Sequence, residues 1–285
     1  MKLVKQGHEV QSWISPDGFE ELRAIEQAGR TCYKSKTTEE KLLELNWIVS
    51  KRVDGDTHFE KFADGKKEME FRVNVYFDPD IDAYKERVTD EEFALISDYI
   101  NNTSAKNFVK MIINNGHEAM LEHSSLRVKF VCSRGVSHEI VRHRLFSFAQ
   151  ESTRYCNYSK GKFGGECTFI VPPDQEWSVN TEEYEEAGNY NNIDSVYAQW
   201  VWFYPLMLAE KEYMKLLQLG WTPQQARDIL PNALKTEIVV TGNYREWRHF
   251  FKLRCDEKAH PHIRLLAQKT LEDLKYLIPV VFDDL

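Results

Sequence analysis

The chain has 285 residues, 42% of them hydrophobic and 13% aromatic, a formal net charge of −8 and five cysteines. That is ample for a sizeable core. The acidic balance argues against non-specific nucleic-acid binding, and no apolar run approaches the roughly 20 residues needed to span a bilayer. The cysteines (Cys32, Cys132, Cys156, Cys167, Cys255) are scattered without a C-x-x-C pair, which favours reduced thiols. The first residues lack the apolar core of a signal peptide, so a cytoplasmic protein is expected.

In chain order, His8–Ile14 alternates weakly as a strand, with Pro16-Asp17-Gly18 as its turn. Residues 19–31 and 37–50 read as helices separated by a polar junction, Arg30–Ser35. Residues 51–85 are charged and irregular apart from a candidate strand at Phe71–Phe77, and look like an elaboration on the core fold. Thr89-Asp90-Glu91-Glu92 has the capping-box form, and a second helix from about Ser104 should stop at Gly116. Leu126–Cys132 alternates cleanly as a half-buried strand, followed by a short helix over Gly135–Arg142.

Residues 156–192 read as a connecting region, with Gly164-Gly165, Pro172-Pro173 and an acidic run. From Asp194 onward the chain reads as mainly helical. Pro205 is expected to kink or divide the first long helix, Thr222-Pro223-Gln224-Gln225 starts another, and a last one runs from about Pro261 to Leu277. The pattern predicts an α+β fold: one domain over residues 1–285, a small antiparallel sheet with flanking helices, and a largely helical C-terminal half.

Between Ser124 and Gly164 eight Lys/Arg stand against two acids, a local excess inside an acidic chain that marks an anion site. Its centre is Arg142–Tyr155, with Arg142, His143, Arg144, Ser152, Thr153 and Arg154. Cations at a helix C-terminus complement its dipole, but three consecutive ones point about 100° apart and suit an extended ligand or two ligands. Ser152, Thr153 and Arg154 offer hydroxyls and a bidentate fork, the chemistry of phosphate binding.

Two other segments stand out. His117 and His123 are six residues apart, about 240° around a helix, and the HExxH spacing is absent, so no metal is expected; they either add surface polarity or line a ligand loop. On a helix over Asn243–Arg254, the residues Asn243, Trp247, Phe250 and Arg254 share one stripe, leaving a guanidinium on an apolar face that needs an acid or an anionic ligand. Arg245 and His249 lie on the other side, toward either a second site or water.

Arg142-His143-Arg144 followed by Ser152 resembles the signature of the flavin-dependent thymidylate synthases. So do Arg30-Thr31-Cys32-Tyr33, Gly116-His117-Glu118 with Glu122-His123, Ala226-Arg227 with Leu230-Pro231 and Thr236, and Asn243-Tyr244-Arg245 with Leu253-Arg254, in the family's order. The resemblance implies an NADPH-dependent enzyme that methylates dUMP to dTMP through bound FAD, with 5,10-methylenetetrahydrofolate as carbon donor. It also implies a homotetramer with shared active sites and no cysteine nucleophile on the pyrimidine.

By the same resemblance, His117, Ala119, Glu122, Arg142, His143, Arg144, Asn243, Arg245 and His249 contact the cofactor. Glu139, Arg142, Gln150, Glu151, Ser152, Thr153, Arg154, Arg227 and Arg254 contact dUMP, with Arg154 and Arg227 on the phosphate and Arg254 polarising the uracil. Ala119 stands where a hydroxyl residue is common, so its contact would be through the backbone, and Gln150 and His249 replace Glu and Asn of some members. The rival reading is a non-catalytic nucleotide- or RNA-binding protein that uses the basic loop alone.

Overall fold

The computed structural model describes residues 1–12, 14–15, 18–45, 47–51, 57–62, 69–75, 89–174 and 193–285. Contacts divide the chain into two units, one from Met1–Trp13, Ser125–Leu274 and Leu285, the other from Ile14–Ser124 and Lys275–Asp284. Strands β1 (Lys2–Val4) and β2 (Gly7–Val10) come first. The second matches the start of the expected strand; the first is too short to show a pattern.

Helix α1 (Phe19–Tyr33) begins after Gly18, whose φ of 69° needs a residue without a side chain. It runs through most of the supposed junction. Arg30 is tied to Glu26 one turn back (Nε–Oε1 2.7 Å) and to Ser104 Oγ (2.8 Å), so its polarity is spent on holding the helix. Helix α2 (Thr38–Glu44) starts with a reciprocal Thr37–Glu40 capping box. It is shorter than expected, because Trp47–Lys51 forms strand β3, where the β-branched Ile48 and Val49 fit better than in a helix.

With β4 (Thr57–Phe62) and β5 (Met69–Val75), β3 makes a three-stranded antiparallel sheet. The 51–85 segment is therefore more regular than its charge suggested. Pro16 and Asp17 of the expected turn, Tyr76 and Phe77 of the expected strand, and residues 175–192 of the connecting region lie outside the described residues. Helix α3 (Asp90–Asn101) has the anticipated Thr89–Glu92 box, and α4 (Thr103–Asn114) ends before Gly116, whose φ is 70°. A 3₁₀ turn over Glu118–His123 follows.

The other unit is built around β6 (Ser125–Ser133). After it come α5 (Arg134–Ile140), β7 (Ser147–Gln150) and β8 (Thr168–Ile170). Helix α6 (Ile193–Gln218) continues unbroken through Pro205, which therefore does not divide it. Helix α7 (Pro223–Ala226), a 3₁₀ turn at Arg227–Ile229, β9 (Lys235–Asn243), α8 (Tyr244–Arg254), α9 (Pro261–Leu277) and α10 (Pro279–Phe282) complete the order. Strands β1 and β8 pair in parallel, while the main sheet is antiparallel in the order β2-β6-β9-β7.

Strand β9 breaks the expected helical run and is central to that sheet. Its alternation was present in the sequence: Thr236, Ile238, Val240 and Gly242 are buried while the residues between them are not. They share a face with Leu126, Val128, Phe130 and Cys132 of β6, all fully buried. Helix α8 packs there. Phe130 meets Trp247 and Phe250 at centroid distances of 6.2 and 6.4 Å, and Trp247 Nε1 donates to the Leu126 carbonyl at 3.0 Å. The opposite face is a charge ladder, with Lys129 and Lys235 on Glu237 at 3.1 and 2.7 Å.

Phe146 closes the buried side. Its ring lies 4.5 Å from Trp247 and covers Gly242, where an added Cβ would collide with Phe146 Cδ1 and Cε1. Gly242→Ala should therefore cost about 1–3 kcal/mol in urea unfolding, the scale of overpacking a filled core. An unchanged midpoint would show that Phe146 does not clamp the strand.

Candidate active site

The basic stretch leaves α5 and enters β7 through a tight turn. Ser133 caps α5 by accepting from Val136 N–H at 3.2 Å, and the helix ends at Ile140, two residues before the position expected. The turn sorts the three cationic positions by burial. His143 is only 5% exposed, while Arg142 and Arg144 face outward. His143 is drawn in by aromatic packing, 5.0 Å from Phe250 and 5.9 Å from Phe146 between ring centroids. Among the described residues Arg142 and Arg144 have no ion-pair partner, so both guanidinium groups are available to a ligand.

Arg254 comes from the far end of α8. Its Nη1 lies 3.2 Å from Glu139 Oε2, its Nη2 donates to the Glu139 carbonyl at 3.0 Å, and its Nε donates to His143 Nε2 at 3.0 Å. The half-buried arginine thus has its internal acid, and that acid is itself a predicted substrate contact. Burial first, then the adjacent Arg254 and His249, pushes the His143 imidazole down to about 4. The His249 ring lies 6.0 Å from that of His143. Asn243 does not join the stripe: as N-cap of α8, its Oδ1 accepts from Glu246 N–H at 2.9 Å. Arg245 and His249 are exposed on α8.

The second half of the motif is built from inward contacts. Gln150 Nε2 donates to Ser137 Oγ (2.8 Å) and Thr236 Oγ1 (3.2 Å). Glu151 takes Tyr158 Oη at 2.9 Å and Lys235 Nζ at 3.1 Å, so its carboxylate is occupied by the protein. Ser152 Oγ accepts from Arg154 N–H at 3.3 Å, and Arg154 Nε donates to Gln224 at 3.0 Å. Buried Thr153 accepts from Arg227 Nη1 at 3.1 Å.

Thr153 and Arg227 line a cavity of about 220 Å³ with Arg134, His138, Asn232 and one acid, Asp228. Two guanidinium groups, an imidazole and a hydroxyl outweigh the single carboxylate around this space, a set that suits a phosphate group. Arg134 and His138 were not among the expected site residues; the signal was the α5 register, which places them one turn apart. Asn232 also lines a neighbouring cleft of about 360 Å³ with Glu139, His260, His262 and Trp202. The structure thus gathers Glu139, His143 and Arg254 in one group and Thr153 and Arg227 in another. In the other unit His117 stands exposed just before the 3₁₀ turn and Ala119 and Glu122 stand exposed on it, with His117 Nδ1 3.5 Å from Tyr33 Oη.

Burial pushes the thiols of Cys132 and Cys167 up to about 12, leaving both protonated and weakly nucleophilic at neutral pH. Among the described residues no cluster of His, Cys, Asp or Glu is arranged for a metal ion, and no helix is long and apolar enough to cross a membrane.

The family described as thymidylate synthase complementing protein matches residues 18–280. The flavin-dependent thymidylate synthase of Corynebacterium diphtheriae is 36% identical over 181 residues, covering 62% of this chain and 68% of that protein. The enzyme of the same name from Mycobacterium avium is 36% identical over 184 residues, with the same coverage. Among solved structures, the UMP/dUMP methylase PolB of Streptomyces cacaoi, bound with 5-Br UMP, superposes with a TM-score of 0.59. It covers 99% of this chain and 95% of its own at 17% identity, a likeness of fold.

A neutral buried His143 has a consequence for stability. Its folded pKa lies below the ordinary value of 6.5, so between about 4 and 6.5 the unfolded chain binds the extra proton. The contribution is complete above that window and is lost as pH falls through it. His143→Asn should flatten part of the acid limb of a stability–pH curve taken by urea unfolding. An acid limb of unchanged slope would contradict a depressed His143.

Proposed function

The chain belongs to the family of flavin-dependent thymidylate synthases, and from that premise we propose how its residues divide the work. It is an FAD-dependent enzyme that methylates dUMP to dTMP, with 5,10-methylenetetrahydrofolate as carbon donor and NADPH as reductant. The observation that carries the assignment is the meeting of Arg254 with Glu139 and His143, which joins two motifs 111 residues apart at one point.

Arg227, with Arg134, His138 and Thr153, takes the nucleotide phosphate in the smaller cavity. Arg154 and Ser152 flank Thr153 in the chain as further phosphate candidates, and Gln150 braces the strand before them through Ser137 and Thr236. Glu151 anchors the chain ahead of Ser152, its carboxylate held by Tyr158 and Lys235 and its N–H by the Glu237 carbonyl. Glu139 and Arg254 face the uracil, where the fixed guanidinium stabilises negative charge on the ring carbonyl.

The exposed Arg142 and Arg144, with Arg245 and His249 on the adjacent helix, fit the anionic pyrophosphate and polar ring edge of FAD. Asn243 completes the candidate flavin contacts of this unit; on the other unit His117, Ala119 and Glu122 are separate candidates, Ala119 through its backbone. FAD supplies the redox chemistry when bound, and the protein supplies orientation and preorganised charge.

Both units serve one catalytic domain, because the family match runs through them. On α6, Phe203, Leu206 and Tyr213 are buried while Val201, Tyr204, Met207 and Leu208 remain exposed. A helix that is apolar on two sides needs a second cover; a second copy of the chain provides it, in a homotetramer with shared active sites in the cytoplasm.

Purified protein should form dTMP from dUMP, methylenetetrahydrofolate and NADPH; no product with FAD bound would refute the reading. Arg227→Ala should weaken dUMP binding by about 1.5–3 kcal/mol, the scale of a charged hydrogen bond, with FAD retained. Unchanged titration calorimetry with dUMP would remove Arg227 from the phosphate site. Arg254→Ala should lose turnover while keeping its flavin spectrum, and normal turnover would exclude it from the chemistry.

A further inference from the structure

Glu246 is buried, only 6% exposed, and has no part in the assignments above. It occupies the third position of α8, from which a glutamate ordinarily reaches back to the N-cap N–H. Here the N-cap residue is the last of β9, paired with Ser125, and Asn243 Oδ1 already receives the Glu246 N–H. The Glu246 carboxylate turns inward, and its Oε1 lies 3.5 Å from His143 Nδ1.

The other ring nitrogen of His143 has a fixed role. Arg254 Nε carries a proton and can only donate, so His143 Nε2, 3.0 Å away, must present a lone pair. The ring proton then sits on Nδ1, where Glu246 faces it. The remaining neighbours do not compete: Phe146 and Phe250 present rings, and His249 lies 6.0 Å away between centroids. A carboxylate beside an N–H dipole is stabilised; the same carboxylate beside an imidazole lone pair would be repelled.

We infer that Glu246 is a positioning residue that holds His143 in its Nδ1–H form, so that Nε2 orients the Arg254 guanidinium toward the substrate. The chain of influence is Glu246 to His143 to Arg254, across two elements of the same unit. Its catalytic consequence rests on the reading of Arg254 as the group that polarises the uracil; its structural content does not. Glu246 touches no reacting atom, so its loss should lower kcat through Arg254 and spare the dUMP KM, which depends chiefly on the phosphate site.

The test uses the full-length enzyme labelled with ¹⁵N-histidine, the His143 signals being assigned by their absence in His143→Asn. Two-bond ¹H–¹⁵N spectra at neutral pH should show the proton on Nδ1 in the wild type. Glu246→Leu should mix or invert the tautomers and lower kcat by about tenfold or more, the scale seen when a residue that orients a functional histidine is lost. Glu246→Gln keeps an acceptor oxygen and should restore both the tautomer and most of kcat.

A wild-type ring with its proton on Nε2, or an imidazolium, overturns the inference, as does a Glu246→Leu enzyme with unchanged tautomer and turnover. Should the leucine variant not fold, the wild-type tautomer and the glutamine variant still decide it. A wild type that makes no dTMP would strike the functional reading instead, leaving the tautomer measurement to stand on its own.

Discussion

A guanidinium cannot shed its proton, so an arginine drawn out of water must be given acceptors. Arg254 receives three: the Glu139 carboxylate, the Glu139 carbonyl and His143 Nε2. That demand pins the end of α5, the turn after it and the end of α8 to one another. It also asks His143 Nε2 for a lone pair, the form Glu246 favours from the Nδ1 side, and leaves Arg142 and Arg144 outward on either side of the buried ring. The ligand-facing charges owe their placement to an interaction that faces the interior.

Hydrophobic packing supplies the frame for that ionic group. The buried side of the β6–β9 pair carries Phe130, Trp247, Phe250 and Phe146, with Gly242 leaving room for the last of them. The other side carries Lys129, Lys235, Glu237 and Glu151 in a ladder of ion pairs. Strand alternation alone generates this asymmetry. Each of the two sheet faces ends near part of the motif: the aromatic side at His143, the charged side at Glu151.

Much of the local structure was legible where it rested on short-range chemistry. The capping boxes at Thr89 and Thr222, the stop at Gly116, the β6 alternation and the last helix all appear as expected. Strand β9 alternates cleanly but is bracketed by helical segments, and its pairing with β6 and β7 is what sets it apart from a continued helical run. At Trp47 strand pairing overrode helical periodicity, and at Arg30 a salt bridge and a serine from another helix kept a polar run helical. Among candidate site residues, Arg254 was found through its conflict with an apolar stripe. Asn243 was misplaced on that stripe because a cap and a first helical turn share a sequence spacing. Arg134, His138 and Glu246 were invisible, since each depends on which way a helix faces.

Glu139 and Arg254, joined by an ion pair, act as one unit in turnover. A double-mutant cycle on dTMP formation, combining Glu139→Gln with Arg254→Lys, measures that directly. The structure predicts a coupling free energy of about 0.5–3 kcal/mol, the range for residues in contact, with the second substitution costing far less once the first is made. Effects that add to within about 0.3–0.5 kcal/mol, as for independent sites, would contradict it.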